Sequence, residues 1–111
     1  MSRDLDAFLQ ALNDLDRALD RSLDVVNRMK ERIAEIRVAQ AEGRTLSEIV
    51  PAEETPLLVQ LLTESTNLLH AYGTRVRRAE ARVLHGEGMT MDQIAKLFGV
   101  TRQRVSALLR E

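Results

Sequence analysis

The sequence predicts an all-α protein with a long N-terminal coiled-coil or bundle helix, a second long helix and a C-terminal helix-turn-helix. Three observations carry this. Apolar residues make up 44% of the 111 positions and are mostly Leu, Val, Ile and Ala, with aromatics at 3%. That stock, poor in Gly and Pro, favours helices over sheet. Apolar residues then recur in heptads over the first forty positions or so. Finally, the last third holds two short amphipathic segments separated by a glycine.

Residues 4–41 read as one helix. Ser2 and Asp4 offer N-cap chemistry, and Asp4 and Asp6 suit the positive end of the helix dipole. No Pro or Gly interrupts before Gly43, which fits a C-terminal stop. One apolar column is Leu5, Leu12, Leu19, Val26 and Ile33, and the other is Phe8, Leu15, Ser22, Met29 and Ile36. Only Ser22 departs from the heptad, so the columns predict a coiled-coil or bundle seam. Leu9 and Leu23 widen the stripe on one side and Val25 on the other. That width suits a bundle of more than two helices. A lone helix cannot shield such a face, so it must pack on another part of the chain or on a second copy. The expected dimerisation residues are therefore Leu5, Phe8, Leu12, Leu15, Leu19, Val26, Met29, Ile33 and Ile36. Asp14, Asp16, Asp20 and Asp24 dominate the first half of the helix, and Arg28, Lys30, Arg32 and Arg37 the second. Antiparallel pairing sets acid against base and is favoured, though exposed ion pairs are each worth only about 0–1 kcal/mol.

Residues 42–55 form a connector. Leu46, Ile49 and Val50 can make one apolar turn before Pro51, and Glu53-Glu54 read as solvated loop charges. The second helix starts at Thr55-Pro56, with Thr55 as N-cap and Pro56 at the first helical position. Its stripe is Leu58, Leu62, Ser65, Leu69, Tyr72, Val76, Ala79 and Val83, broadened by Leu57, Leu61 and Leu68. Gly73 inside it costs roughly 1 kcal/mol relative to Ala, and a continuous helix, weak at that point, is expected. Residues 1–73 thus make a helical stem.

Residues 74–111 make the helix-turn-helix domain. Val76, Ala79, Val83 and Leu84 are expected in its small core, and H-G-E-G ends the arginine-rich helix. Thr90 caps the next helix, with Gln93 completing a capping box. Gly99 supplies the φ > 0 conformation that such a turn needs, and Thr101 caps the last helix. Ile94, Ala95, Phe98, Val100, Val105 and Leu108 have the spacing with which two short helices pack across each other. Met89 and Met91 fill gaps around them. The other face of the last helix carries Thr101, Arg102, Gln103, Ser106 and Arg110. Those donors and acceptors are of the kind that read base edges in a major groove. Arg104, Thr90, Arg77 and Arg78 complete the candidate DNA-contacting set.

Charge distribution agrees. The whole chain carries −1, but residues 74–111 hold eight basic and four acidic residues, a net of +4, which leaves −5 on residues 1–73. A basic end on an acidic stem suits a chain that meets DNA with one end. Arg75, Arg77, Arg78 and Arg82 can release phosphate counterions, which predicts strong salt dependence.

Thr90 to Leu108 reads T-M-D-Q-I-A-K-L-F-G-V-T-R-Q-R-V-S-A-L. This segment resembles the promoter-reading second part of region four of bacterial sigma factors, commonly T-L-E-E-I-G-x-x-F-G-V-T-R-E-R-I-R-Q-I. Phe98 to Arg102 and Arg104 match outright, Val105 replaces Ile, and the upstream R-R-A-E-A-R-V-L is similar to the arginine-rich helix that precedes that region. The resemblance implies that Arg102 and Gln103 read bases while Thr101 and Arg104 meet phosphates. Gln103 stands where the family has Glu, and Ser106 and Ala107 stand where it has Arg and Gln. The likeness covers the last third of the chain; the stem is unlike the rest of a sigma factor. The implied protein is a small regulator with a sigma-like helix-turn-helix.

The expected partners are double-stranded DNA and a second copy of the chain. The alternative is an interaction module whose stem binds a sigma factor, polymerase or other helical regulator. No enzyme is expected: His70 and His85 are the only imidazoles, and no acid, base and nucleophile set accompanies them. His70 reads as a packed or border residue and His85 as a partner of a helix dipole. The chain has no Cys, hence no disulfide or thiolate metal site, and no cofactor is expected. No apolar run spans a bilayer and M-S-R-D-L-D is too polar for a signal peptide, so a cytoplasmic protein with no membrane partner is expected.

Overall fold

The computed structural model describes residues 3–110. The chain folds as helices α1 (Arg3–Ala41), α2 (Leu46–Ile49), α3 (Leu58–Gly86), α4 (Met91–Phe98) and α5 (Arg102–Arg110), with no strand among the described residues. α1 and α3 pair as long helices. None of the described helices is long and apolar enough to cross a membrane. The chain divides into two compact units, Ala18–Leu69 and Met1–Arg17 with His70–Glu111. Each long helix therefore contributes to both.

In the unit Ala18–Leu69, α1 and α3 run antiparallel. Arg21 Nη2 meets Glu64 Oε1 at 2.7 Å, while Arg32, further along α1, donates to the carbonyls of Glu54 (2.9 Å) and Pro56 (3.2 Å) ahead of α3. The buried line on α1 is Ala18, Ser22, Val25, Arg32 and Ala39. The line buried within the chain is thus offset from the heptad columns. Val25, read as widening the stripe, lies at its buried centre, and Leu19, Val26 and Ile33 are exposed. Met29 and Ile36 are half-buried. On α3 the same shift occurs: Leu61 is fully buried, whereas Leu62 and Leu69 are exposed. The separation of packed helices follows the size of the side chains at the contact. Small Ala, Ser and Val therefore mark the line that a neighbouring helix can approach closely, and the bulkier column one residue further round stays outside.

The connector is held by a buried ion pair. Arg32 Nη1 donates to Glu53 Oε1 at 3.0 Å, and both side chains are less than a tenth exposed. Glu53 is thus no solvated loop charge. Its Oε1 also accepts the Leu58 N–H at 2.9 Å, and Gln60 Oε1 accepts the Leu57 N–H at 2.7 Å. These side chains satisfy first-turn donors of α3 that lack intrahelical partners. α3 consequently begins at Leu58, not at Pro56, and Thr55 is not its cap; the Thr55–Pro56 peptide is cis. The Leu58 N–H and Arg32 hold the Glu53 carboxyl below the ordinary carboxylate range, against the opposing effect of burial. The predicted apolar turn is α2, of which only Ile49 is buried. At the other side of the connector, Gly43 (φ 88°) closes α1, with Arg44 N–H donating to Ala39 O at 3.2 Å and Gly43 N–H to Gln40 O at 3.0 Å. This pair of hydrogen bonds satisfies the terminal carbonyls through a left-handed residue.

In the other unit, Asp4 and Asp6 lie in the first turn of α1, and the proposed cap Ser2 falls outside the described residues. Phe8 and Leu15 are half-buried, as is Leu5, with Ala11 buried between them and Leu12 exposed. Arg75 of α3 donates to Asp14 Oδ2 at 2.8 Å and lies over the Tyr72 ring, 5.5 Å from its centroid. The Arg75 side chain stays 52% exposed in this pair, so the contact does not withdraw it from an outside acceptor. α3 is continuous through Gly73. The Arg77 guanidinium lies 3.5–3.8 Å from the place a Cβ would occupy there. A Cβ at Gly73 would make ordinary van der Waals contact with Arg77, so the space there does not demand glycine.

Candidate nucleic-acid interface

The core beneath the candidate interface is Ala81, Ile94, Ala95, Val105 and Leu108, with Leu84, Met89, Met91, Phe98 and Leu109 packed against it. Ile94 and Val105 are completely buried. α3 supplies Ala81 and Leu84, whereas Val76, Ala79 and Val83 are outside this cluster. Two residues along a helix turn about 200°, so buried Ala79 and buried Ala81 point to different neighbours. Ala79 borders a groove with Ala7 and Ala11 of α1 instead. Met89 and Met91 fill the margins as expected.

Local chemistry sets the two short helices. Thr90 Oγ1 accepts the Gln93 N–H at 3.2 Å and Gln93 Oε1 accepts the Thr90 N–H at 2.9 Å, a complete capping box. Gly99 adopts φ 69°, a conformation that costs an L side chain about 1–2 kcal/mol. Val100 N–H donates to Ala95 O at 3.0 Å across this turn. Val100 is therefore a turn residue and remains exposed, outside the core in which the sequence placed it. Thr101 Oγ1 accepts the Arg104 N–H at 3.1 Å and caps α5.

α5 is split by face. Val105 and Leu108 are buried; Thr101, Arg102, Gln103, Arg104 and Arg110 are exposed, and Ser106 is half-buried. The hydroxyls of Thr90 and Thr101 already accept backbone N–H groups, which leaves each with its O–H to donate. Arg102 Nε stands 3.8 Å from Asp92 Oδ1, and both side chains are largely exposed. Such a pair is worth little and does not hold the guanidinium against a better acceptor.

The remaining cations separate into two groups. Arg77 and Arg104 line one groove of about 330 Å³ with Glu80, Leu97, Phe98, Val100 and Leu108. Arg78 and Arg82 line another with Arg75, Ala79, Ala7 and Ala11. The arginine-rich stretch of α3 therefore does not present one continuous basic surface. Sequence reasoning missed exposed Leu97 beside the first groove, since a leucine within an amphipathic helix reads as core. Of the two places expected for His70, packed or at the border of the stripe, exposure excludes the first, and His85 lies in the last turn of α3.

Comparisons with protein-family models, curated proteins and solved structures find no match to this chain.

Proposed function

We propose that this protein is a sequence-specific DNA-binding transcriptional regulator that acts in the cytoplasm as a homodimer through its paired long helices. The observation that carries the reading is the division of α5: Val105 and Leu108 anchor it in the core while Thr101, Arg102, Gln103, Arg104 and Arg110 face outward. A short helix held by one face and bearing Arg and Gln on the other is what major-groove readout requires. Arg102 and Gln103 contact base edges; Thr101, Arg104 and Arg110 contact the backbone, and Ser106 takes part at the margin. The sigma-like segment from Phe98 to Arg104 supports the same assignment. One such helix reads few bases, so two copies binding half-sites about 34–36 Å apart supply the missing specificity.

Selection of bound sites from random duplexes tests this reading. Enrichment of a two-fold symmetric sequence is expected, with affinity falling steeply as salt rises. No enrichment, together with a flat salt response, refutes it.

The second reading is a protein-interaction module for a sigma factor, polymerase or other helical regulator. Leu97 and Val100, exposed at the edge of the Arg77–Arg104 groove, favour it. Substituting Arg102 and Gln103 by Ala separates the two. Loss of regulation in cells supports DNA readout; unchanged regulation supports the module.

A further inference from the structure

The unit Ala18–Leu69 buries one line of each long helix and leaves a second apolar line outside. On α1, each buried residue is followed by an exposed one: Leu19 after Ala18, Val26 after Val25, Ile33 after Arg32. On α3, exposed Leu62 follows buried Leu61, and exposed Leu69 follows half-buried Leu68. One residue turns a helix by about 100°. Because the two helices are antiparallel, an equal step in chain direction brings both lines to the same side of the pair. Leu23 and Val59, each more than 60% exposed, extend that side. A helix with two apolar lines about a quarter-turn apart has the form of a four-helix-bundle member, with a neighbour on each line.

We propose that a second copy of this chain covers the face formed by Leu19, Leu23, Val26, Ile33, Val59, Leu62 and Leu69, with α1 antiparallel to α1 of the partner subunit about a two-fold axis between Leu23 and Val26. This rests on the homodimer in the reading above and names its surface. Charge selects both occupant and direction. Exposed Asp20 borders the α1 line, and exposed Lys30 interrupts it one turn beyond Val26. A two-fold interface must be complementary to itself. The antiparallel arrangement sets Asp20 beside Lys30 of the second copy, whereas a parallel one sets Lys30 against Lys30. Arg21 and Arg32, also on α1, are engaged within the chain by Glu64 and Glu53 and do not enter this pairing.

The chain has no cysteine, so single-cysteine variants of the full protein report the arrangement cleanly. Light scattering after size exclusion, without DNA, is expected to give a dimer at micromolar concentration. Val26→Cys is expected to form a disulfide-linked dimer under mild oxidation. Ile33→Cys is not, because the two sulfurs sit about 25 Å apart along the axis in this register. Leu23→Lys is expected to abolish the dimer while the helical circular dichroism is retained. A monomeric wild type overturns both this proposal and the homodimer. A dimer in which Ile33→Cys cross-links as well as Val26→Cys, or which survives Leu23→Lys, overturns this face and direction but leaves a homodimer standing. DNA binding plays no part in these readouts, so its failure would be seen separately.

Discussion

The unit around α4 and α5 closes its own core, while the unit around the connector does not. In the first, Ile94 and Val105 are completely buried under residues from three helices, and Gly99, Thr90 and Thr101 set the ends of the short helices. In the second, Leu61 is the one large apolar residue fully buried among those described, and a row of Leu, Val and Ile faces outward. Polar contacts supply much of its definition: Arg32 and Glu53 fasten the connector, and Arg21 and Glu64 join the helices. A small self-sufficient unit can present a rigid surface to a ligand. An amphipathic pair with a spare apolar side leaves that side open to water.

The contrast can be broken most directly at the buried ion pair. Arg32→Ala leaves Glu53 buried without its cation and is expected to destabilise the protein by about 3–5 kcal/mol, measured by urea unfolding. A change below about 1 kcal/mol would show that the connector does not depend on it. Ile94→Ala tests the other unit, with an expected loss of about 2–5 kcal/mol from lost burial and the cavity left behind. Its thermal transition should fall without altering oligomeric mass, and a change of mass would argue against two separable roles. Gly99→Ala is expected to cost about 1–2 kcal/mol, because the alanine must adopt the left-handed turn. A stabilised variant would mean that the turn is free to rearrange.

Acid sharpens the comparison with a smaller effect. The native Glu53 carboxyl titrates below its ordinary value of 4.5. Between the unfolded and native values the unfolded chain binds the additional proton. Its contribution is therefore complete above pH 4.5 and declines as pH falls through the lower native value. Glu53→Gln is expected to lack that part of the acid sensitivity, as read from unfolding midpoints across about pH 2–6. Equal pH profiles for the two proteins would contradict the assignment.

Features set by neighbours along the chain are legible in the sequence itself. Gly43 ends α1, Thr90 and Gln93 form the capping box, Gly99 takes φ 69°, and Thr101 caps α5. The outward polar face of α5 can be read because Val105 and Leu108 lie three residues apart on the other side. Features set by distant residues are not legible. A heptad count ranks Leu12, Leu19, Val26 and Ile33 above Ala11, Ala18 and Arg32, yet the smaller residues and the arginine are buried. Glu53 looks like a loop charge because its partner is 21 positions away. The pairing of Arg75 with Asp14 spans 61 positions and escapes a local reading in the same way. The start of α3 escapes a local cap rule for the same reason, since Glu53 and Gln60 supply acceptors that such a rule does not count.

The central claim is that exposed Arg102 and Gln103 on α5 read a duplex. Fluorescence anisotropy with a duplex selected by the wild type and a scrambled duplex, compared between the wild type and the Arg102→Ala/Gln103→Ala variant, tests it most directly. The variant is expected to keep its mass and helicity while losing about 1–3 kcal/mol of discrimination for each base contact removed. A variant that distinguishes the two duplexes as well as the wild type does would contradict the claim.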